Sequence, residues 1–234
     1  MLGHVSNYLL ASLPPEALSL LELQPIELAQ GTSIFAPNEP IDRVYFPETG
    51  MVSMLVVTGK GDMVETAIAG REGALGIQRG LGQRRSLTRA TVQIGGRFLA
   101  VSGSKFELAT AASAPIREMI ILYTEVLWGQ AQQTTACNAV HNASERLCRW
   151  LLQSARCIGS DELALTQEFI GQMLGVRRTT VTLLAQNLQR TGAIKYTRGR
   201  ISIINRSVLE ARACECHRVM QNLQKEKLPS FSAF

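Results

Sequence analysis

Apolar positions fall in short alternating runs over the first hundred residues and in helical stripes after that. The runs occupy residues 34–35, 44–46, 51–57, 64–68, 90–94 and 98–101. Turn-forming groups separate them: Pro37-Asn38, Pro47-Glu-Thr-Gly50, Gly59-Lys-Gly-Asp62, Gly70-Arg-Glu-Gly73 and Gly95-Gly96. Many short strands with regular turn signals predict a β-sandwich or jelly roll from about residue 26 to 101. No βαβ period appears, and neither a phosphate loop nor a dinucleotide fingerprint. A short amphipathic helix is predicted over residues 14–23, with Ala17, Leu18, Leu20 and Leu21 as its apolar positions.

The period then changes. Residues 105–112 read as a short helix, and Pro115 opens a long one, since proline suits a first helical turn. Ile116, Ile120, Tyr123, Leu127, Gln130, Thr134 and Cys137 recur by fours and threes, a seam of the kind that pairs helices in a coiled coil. The same spacing also serves a helix packed on its own β domain. Asn142-Ala-Ser-Glu145 has the form of a capping box, so a fresh helix is expected to start there and to end near Gly159.

Residues 166–200 combine two short stripes with tight turns. Thr166 can cap a helix, and Glu168 sits in its first turn, where negative charge suits the dipole. Phe169, Ile170, Met173 and Leu174 share a face, and Gly175 supplies a left-handed helix end. A second stripe follows: Val181, Leu184, Ala185 and Leu188, closed by Gly192. Residues 194–197 and 200–204 flank Arg198-Gly199 as a hairpin. One further helix is predicted over residues 207–227. Two helices about a tight turn followed by a hairpin form a winged helix-turn-helix, which sets its second helix in the major groove of DNA. That helix begins Arg177-Arg178-Thr179-Thr180, groups that bond phosphates and base edges. Thr166, Gln167, Thr182, Gln186 and Arg190 are further candidate contacts, and Lys195, Arg198 and Arg200 equip the wing.

Charge strengthens this reading. The net charge is +5 over 234 residues, yet residues 1–159 balance, with 13 basic and 13 acidic side chains. The excess lies in residues 160–234, and between Arg177 and Arg212 eight basic residues face one acid, Glu210. A localised basic patch fits counterion release from DNA. No apolar run is long enough to cross a bilayer, and the first residues lack a basic leader, so a cytoplasmic location is expected and no membrane partner. The five cysteines, Cys137, Cys148, Cys157, Cys214 and Cys216, are odd in number and dispersed, which argues against a disulfide framework. Cys214-Glu-Cys216-His217 matches no zinc spacing and has no obvious second ligand pair, so no metal ligand is assigned. His4, His141 and His217 are assigned surface or structural roles. A jelly-roll metal enzyme is a distant alternative, since the histidines lie far apart and no nucleophile–base set appears; no catalytic residue is assigned.

Taken together, the β runs, the long helix and the 165–200 segment resemble the CRP/FNR superfamily of bacterial transcriptional regulators. The most specific stretch is Leu165-Thr-Gln-Glu-Phe-Ile-Gly-Gln-Met-Leu-Gly-Val-Arg-Arg-Thr-Thr-Val181 through Gly192 and the wing. Val44-Tyr-Phe-Pro-Glu-Thr-Gly-Met-Val-Ser53, with Gly70-Arg-Glu-Gly73, is similar to a subgroup whose effector is not generally established. The resemblance implies an α+β fold: a double-stranded β-helix or jelly roll of the cyclic-nucleotide-binding type as sensor (1–114), a dimerisation helix (115–141) and a winged helix-turn-helix (142–234). It implies a homodimer with the 116–137 seam as interface, a near-palindromic double-stranded operator and RNA polymerase as a further partner. By position Arg178 matches the family's guanine-reading arginine. Thr179 stands where the cyclic-AMP receptor has a glutamate, and Leu183 where it has another arginine, so a different operator is expected. The phosphate cassette corresponds to Gly73, Gly76 and Ile77, then Arg85-Ser86, with Gln132 on the long helix. Ile77 replaces the glutamate that bonds the ribose hydroxyl, so cyclic AMP is not the expected effector and no cofactor is assigned. The alternative is a regulator without ligand, its β domain a scaffold or docking module.

Overall fold

A computed structural model describes residues 5–228 of the chain; His4 lies outside the described residues. It opens with two short helices, α1 (Tyr8–Ala11) and α2 (Pro15–Ser19). The first has no counterpart in the apolar pattern, and four residues are too few to persist on propensity. Tertiary bonds hold it instead. Asn7 is fully buried, accepts from the Leu9 and Leu10 amides, and donates through Nδ2 to Pro47 O and Gly73 O, both at 2.9 Å.

Seven strands follow: β1 (Gln24–Leu28), β2 (Ser33–Phe35), β3 (Arg43–Pro47), β4 (Met51–Val57), β5 (Met63–Ala69), β6 (Arg89–Ile94) and β7 (Gly96–Ser102). They pair antiparallel as two sheets, β1-β7-β3 and β2-β6-β4-β5. Phe35, Ile41, Val52, Leu75, Val92 and Phe98 fill the space between. This is the β roll that the alternating runs predict.

Helices α3 (Gly103–Ala112) and α4 (Ala114–Val140) come next, the latter capped by Ser113 with proline in its first turn. Helix α5 (Ala143–Ile158) carries the complete Asn142/Glu145 capping box and ends on Gly159 at φ +68°. Then come β8 (Glu162–Leu163), α6 (Gln167–Leu174), α7 (Arg178–Arg190), β9 (Ile194–Thr197) and β10 (Arg200–Ile203). The three strands form one sheet in the order β8-β10-β9. The helix predicted over 207–227 is two helices, α8 (Arg206–Arg212) and α9 (Cys216–Lys227). The break at residues 213–215 lets Cys214 and Cys216 pack against Cys137. Helix α9 folds back along α4, where Lys227 pairs with Glu125 at 2.8 Å.

The seam on α4 corrects the sequence reading. Ile116, Ile120, Tyr123, Gln130, Thr134 and Cys137 are buried within the single chain, and Leu127 is half-buried. Ile116, Ile120 and Tyr123 pack with Val44, Phe46 and Phe106 of the chain's own N-terminal domain. Gln130 Oε1 accepts from the Ile68 amide at 2.7 Å. A 3–4 repeat marks a buried face but not its partner, and here the N-terminal domain takes most of it while the α8–α9 break takes Cys137. The face left to solvent carries Ile121 and Trp128, 50% and 68% exposed.

The β roll and the C-terminal helices share a core. Met51, Leu55 and Ile68 pack with Trp150, Leu151 and Leu152 of α5. Within this joint Glu65 is buried and accepts from Ser53 Oγ and, at 2.8 Å, from Trp150 Nε1. Burial raises its carboxyl to about 7 against the opposing pull of those two donors and of Arg149. Gly70 fits the same joint, because a Cβ there would stand 2.5 Å from both Cβ and O of Cys157. Two residues on, the buried Glu72 accepts from the Gly70 amide and from the Cys157 thiol, each at 3.0 Å. The Gly70-Arg-Glu-Gly73 motif is therefore a seat for the end of α5.

Candidate nucleic-acid interface and sensor cavity

The reading head is assembled from local devices. Thr166 Oγ1 accepts from the Phe169 amide at 3.3 Å to start α6, and Gly175 ends it at φ +63°. Arg146, from the first turn of α5, donates to Leu174 O at 2.6 Å and so satisfies one of the carbonyls left open there. Gly171 lets the two helices close: a Cβ would lie 2.9 Å from Val176 O. Val181, Ala185 and Leu188 turn inward on α7.

That packing fixes the outward face. Arg177, Arg178, Thr179, Gln186 and Arg190 are exposed, and Thr180 and Thr182 half-buried. Arg177 and Arg178 stand at the start of α7, where no acidic side chain occupies the first turn. Thr182 Oγ1 donates to Gln167 Oε1 at 2.8 Å, tying the two helices together at their polar surface. Thr166 and Gln167 are half-buried beside it. The wing turns through Arg198 at φ +47° and Gly199 at φ +78°, a two-residue hairpin with both central residues left-handed. Lys195, Arg198 and Arg200 are exposed along it. Gln189 Oε1 accepts from the Tyr196 amide at 2.8 Å, so the wing is held against α7. Across a cleft from Arg177 and Arg178 lie Asp62, Met63 and Val64 at the tip of the β4–β5 hairpin.

The N-terminal half holds a cavity of about 380 Å³ between the β2-β6-β4-β5 sheet and α4. Its wall is mostly apolar, with Met54, Leu75, Leu87 and Trp128, and its polar members are hydroxyl and amide side chains such as Thr66, Thr124 and Gln83. Among the described residues no Lys, Arg, His, Asp or Glu lines it. Gly76 and Ser86 are in the wall as the cassette comparison suggests; the other four candidates are not. Ile77 is fully buried with Phe106 and Ile120. Gly73 packs under Tyr123, whose hydroxyl would stand 2.1 Å from a Cβ. Arg85 is exposed, with Nη1 donating to Asn38 O at 2.7 Å. Gln132 is exposed, because the helix presents Thr124, Leu127, Trp128 and Ala131 to the cavity instead. Even Ser86 spends its hydroxyl proton on Thr88 O, at 2.7 Å. The periodicity of α4 could have placed Thr124, Trp128 and Ala131 together, since they are spaced by four and three on one face.

Among the described residues no helix is long and apolar enough to cross a membrane. Of the surface or structural roles expected for the histidines, His217 has a buried, structural place. Burial, with Arg156, Arg149 and Arg206 nearby, lowers its imidazole to about 4.

Residues 145–212, from α5 through α8, match the Crp-like helix-turn-helix domain family. The global nitrogen regulator of Synechococcus elongatus is 25% identical over 203 residues, covering 79% of this chain and 87% of that protein. A CRP-like cAMP-activated global transcriptional regulator of Mycobacterium tuberculosis is 24% identical over 219 residues, covering 85% of this chain and 93% of its own. Among solved structures FixK2 from Bradyrhizobium japonicum shares the fold, with a TM-score of 0.71 at 20% identity over 83% of this chain and 98% of that one. The domain match and these relatives support a transcription regulator with a Crp-like, DNA-binding helix-turn-helix.

Proposed function

We propose that the chain is a sequence-specific DNA-binding regulator that acts as a homodimer and responds to a small neutral ligand in the sensor cavity. The exposed arginine-rich start of α7 beside a basic wing carries this reading. Arg178 and Thr179 read base edges at the start of the recognition helix, while Lys195, Arg198 and Arg200 bond phosphates. Leu183 is 66% exposed on the same helix, and an apolar side chain there suits a thymine methyl group. The second copy seats on the solvent face of α4 at Ile121 and Trp128, placing the two heads on successive major grooves about 34 Å apart.

The cavity wall gives the ligand its character. A cyclic nucleotide brings an anionic phosphate, which here would lose water without gaining a cation. A neutral, largely apolar molecule loses nothing comparable on entry. Trp128 belongs both to the wall and to the exposed helix face, so a ligand that moves it changes the surface offered to the second copy. Such a ligand shifts the population of DNA-competent dimers by its differential affinity for the two arrangements. The test is a thermal-shift screen of the full chain, followed by DNA anisotropy with each hit. Neutral apolar compounds should raise the melting temperature and change DNA affinity, and cyclic AMP should do neither. Failure to bind any duplex from a random pool would contradict the regulator reading. A saturable response to cyclic AMP alone would contradict the ligand class.

A further inference from the structure

The last turn of α4 and the break between α8 and α9 meet in a cluster of four metal-ligating side chains. Cys137 and His141 stand at i and i+4, so they leave one face of the helix end together. Cys214 and Cys216 flank Glu215 in the break. One ligand atom from each of these four side chains lies within 4.8 Å of every other. The three sulfurs are buried and His141 is half-buried. The spacing explains why the sequence conceals the set: the two pairs are 77 residues apart, and neither alone is a zinc motif.

Two of the six edges are close to those around one ion. A tetrahedral zinc with Zn–S of about 2.3 Å and Zn–N of about 2.05 Å needs S···S edges near about 3.8 Å and S···N edges near about 3.5 Å. Cys137 Sγ and Cys214 Sγ are 3.5 Å apart, and Cys216 Sγ is 3.6 Å from His141 Nδ1. The surroundings are those of a ligand set rather than of packed thiols. His141 Nε2, the nitrogen turned away from Cys216, meets Glu215 Oε1 at 3.1 Å, the carboxylate support typical of a metal-bound imidazole. Gln133 Nε2 donates to Cys216 Sγ at 3.0 Å, a bond that favours a thiolate. Three thiolates and a neutral imidazole around a divalent ion leave one negative charge. The guanidinium of Arg149, 4% exposed, lies where it can oppose that charge.

We propose that Cys137, His141, Cys214 and Cys216 form a Cys3His site for a zinc-class divalent cation. Binding forms three metal–sulfur bonds and one metal–nitrogen bond, releases the thiol protons to solvent and transfers no electrons. The ion joins the end of the long helix to the chain that follows the winged head. The same junction carries Arg146, whose bond to Leu174 O reaches the end of α6, so the metal steadies the base of the reading head.

The experiment uses the full chain, purified without chelator. Elemental analysis should find about one zinc per chain, and cobalt(II) replacement should give the thiolate charge-transfer and tetrahedral ligand-field bands of a Cys3His site. Cys216→Ser should lose the metal, while Cys148→Ser, at a buried thiol outside the cluster, should keep it. Glu215→Gln should bind zinc about 10–100-fold more weakly with the fold intact. His141→Cys should retain a cobalt spectrum shifted toward four thiolates, which covers the case in which Cys216→Ser does not fold. The proposal is overturned if the wild-type chain takes up no stoichiometric zinc or cobalt, if a Cys137–Cys214 disulfide is recovered from the native protein, or if Cys216→Ser keeps its metal.

Discussion

The winged head turns its charge outward, whereas the cavity beneath the long helix has an uncharged wall. From Arg177 to Arg212 eight cations accompany a single acid, and those of α7 and the wing are exposed. The cavity is walled by leucine, methionine and tryptophan with a few hydroxyls and amides. A polyanion suits the first and a neutral molecule the second. On the proposed reading a polyanion and an uncharged molecule act on one chain, and the joint between their sites contains a buried carboxylate, Glu65, together with the Gly70–Glu72 seat for α5.

The largest expected difference between the two regions is their response to salt. If the dimer neutralises at least six phosphates, DNA affinity falls on the order of 1,000-fold or more between about 50 and 200 mM salt. Ligand affinity in the cavity should stay flat over the same range. Calorimetric ligand titrations and anisotropy at matched salt would separate them, and a ligand affinity that fell with salt would place a cation in the cavity.

Next is the joint. With its carboxyl raised from 4.5 to about 7, folded Glu65 keeps a proton that the unfolded chain releases. Stability contributed by that proton is present below about pH 4.5 and is lost as pH rises through 7. The amide of Glu65→Gln can still accept from Trp150 and donate to Ser53. The variant should therefore lose this decline and gain roughly 3 kcal/mol over the wild type at pH 8. Chemical denaturation at pH 5 and pH 8 tests it; a parallel offset at both values would show that Glu65 does not titrate in this window.

At Gly70, alanine forces a Cβ into the backbone of Cys157. Gly70→Ala should cost about 1–3 kcal/mol of stability. It should also alter DNA affinity through the head's position while leaving the salt slope alone. A smaller effect is expected on the wing. Arg200→Ala should weaken binding to every duplex by roughly the same factor and lower the salt slope by about one per protomer, about two for the dimer. A change in base preference would make Arg200 a reader of bases.

The reading head was legible in the sequence because its signals are local. Thr166, the Asn142/Glu145 box, Gly175 and the Arg198-Gly199 turn each act within a few residues, and the structure has all of them. The β runs were legible for the same reason, since alternation reports a half-buried strand wherever its partner lies. What remained hidden depends on contacts across the chain. The α4 repeat showed a buried face but could not show that the N-terminal domain and the α8–α9 break cover it, leaving Ile121 and Trp128 outside. Arg85-Ser86 suggested a phosphate site, yet Asn38 and Thr88 engage both residues. Cys137 and His141 met Cys214 and Cys216 only because the predicted final helix breaks at residues 213–215.

The most direct measurement is selection of bound duplexes from a random pool by the wild-type chain and by Arg178→Ala. The wild type should enrich a near-palindrome with two half-sites. Arg178→Ala should relax preference at one base pair in each half-site, with a loss on the order of 1–3 kcal/mol per half-site at the wild-type sequence. An identical enriched sequence and affinity in both proteins, or no enrichment by the wild type, would contradict the assignment of α7 as the reading helix.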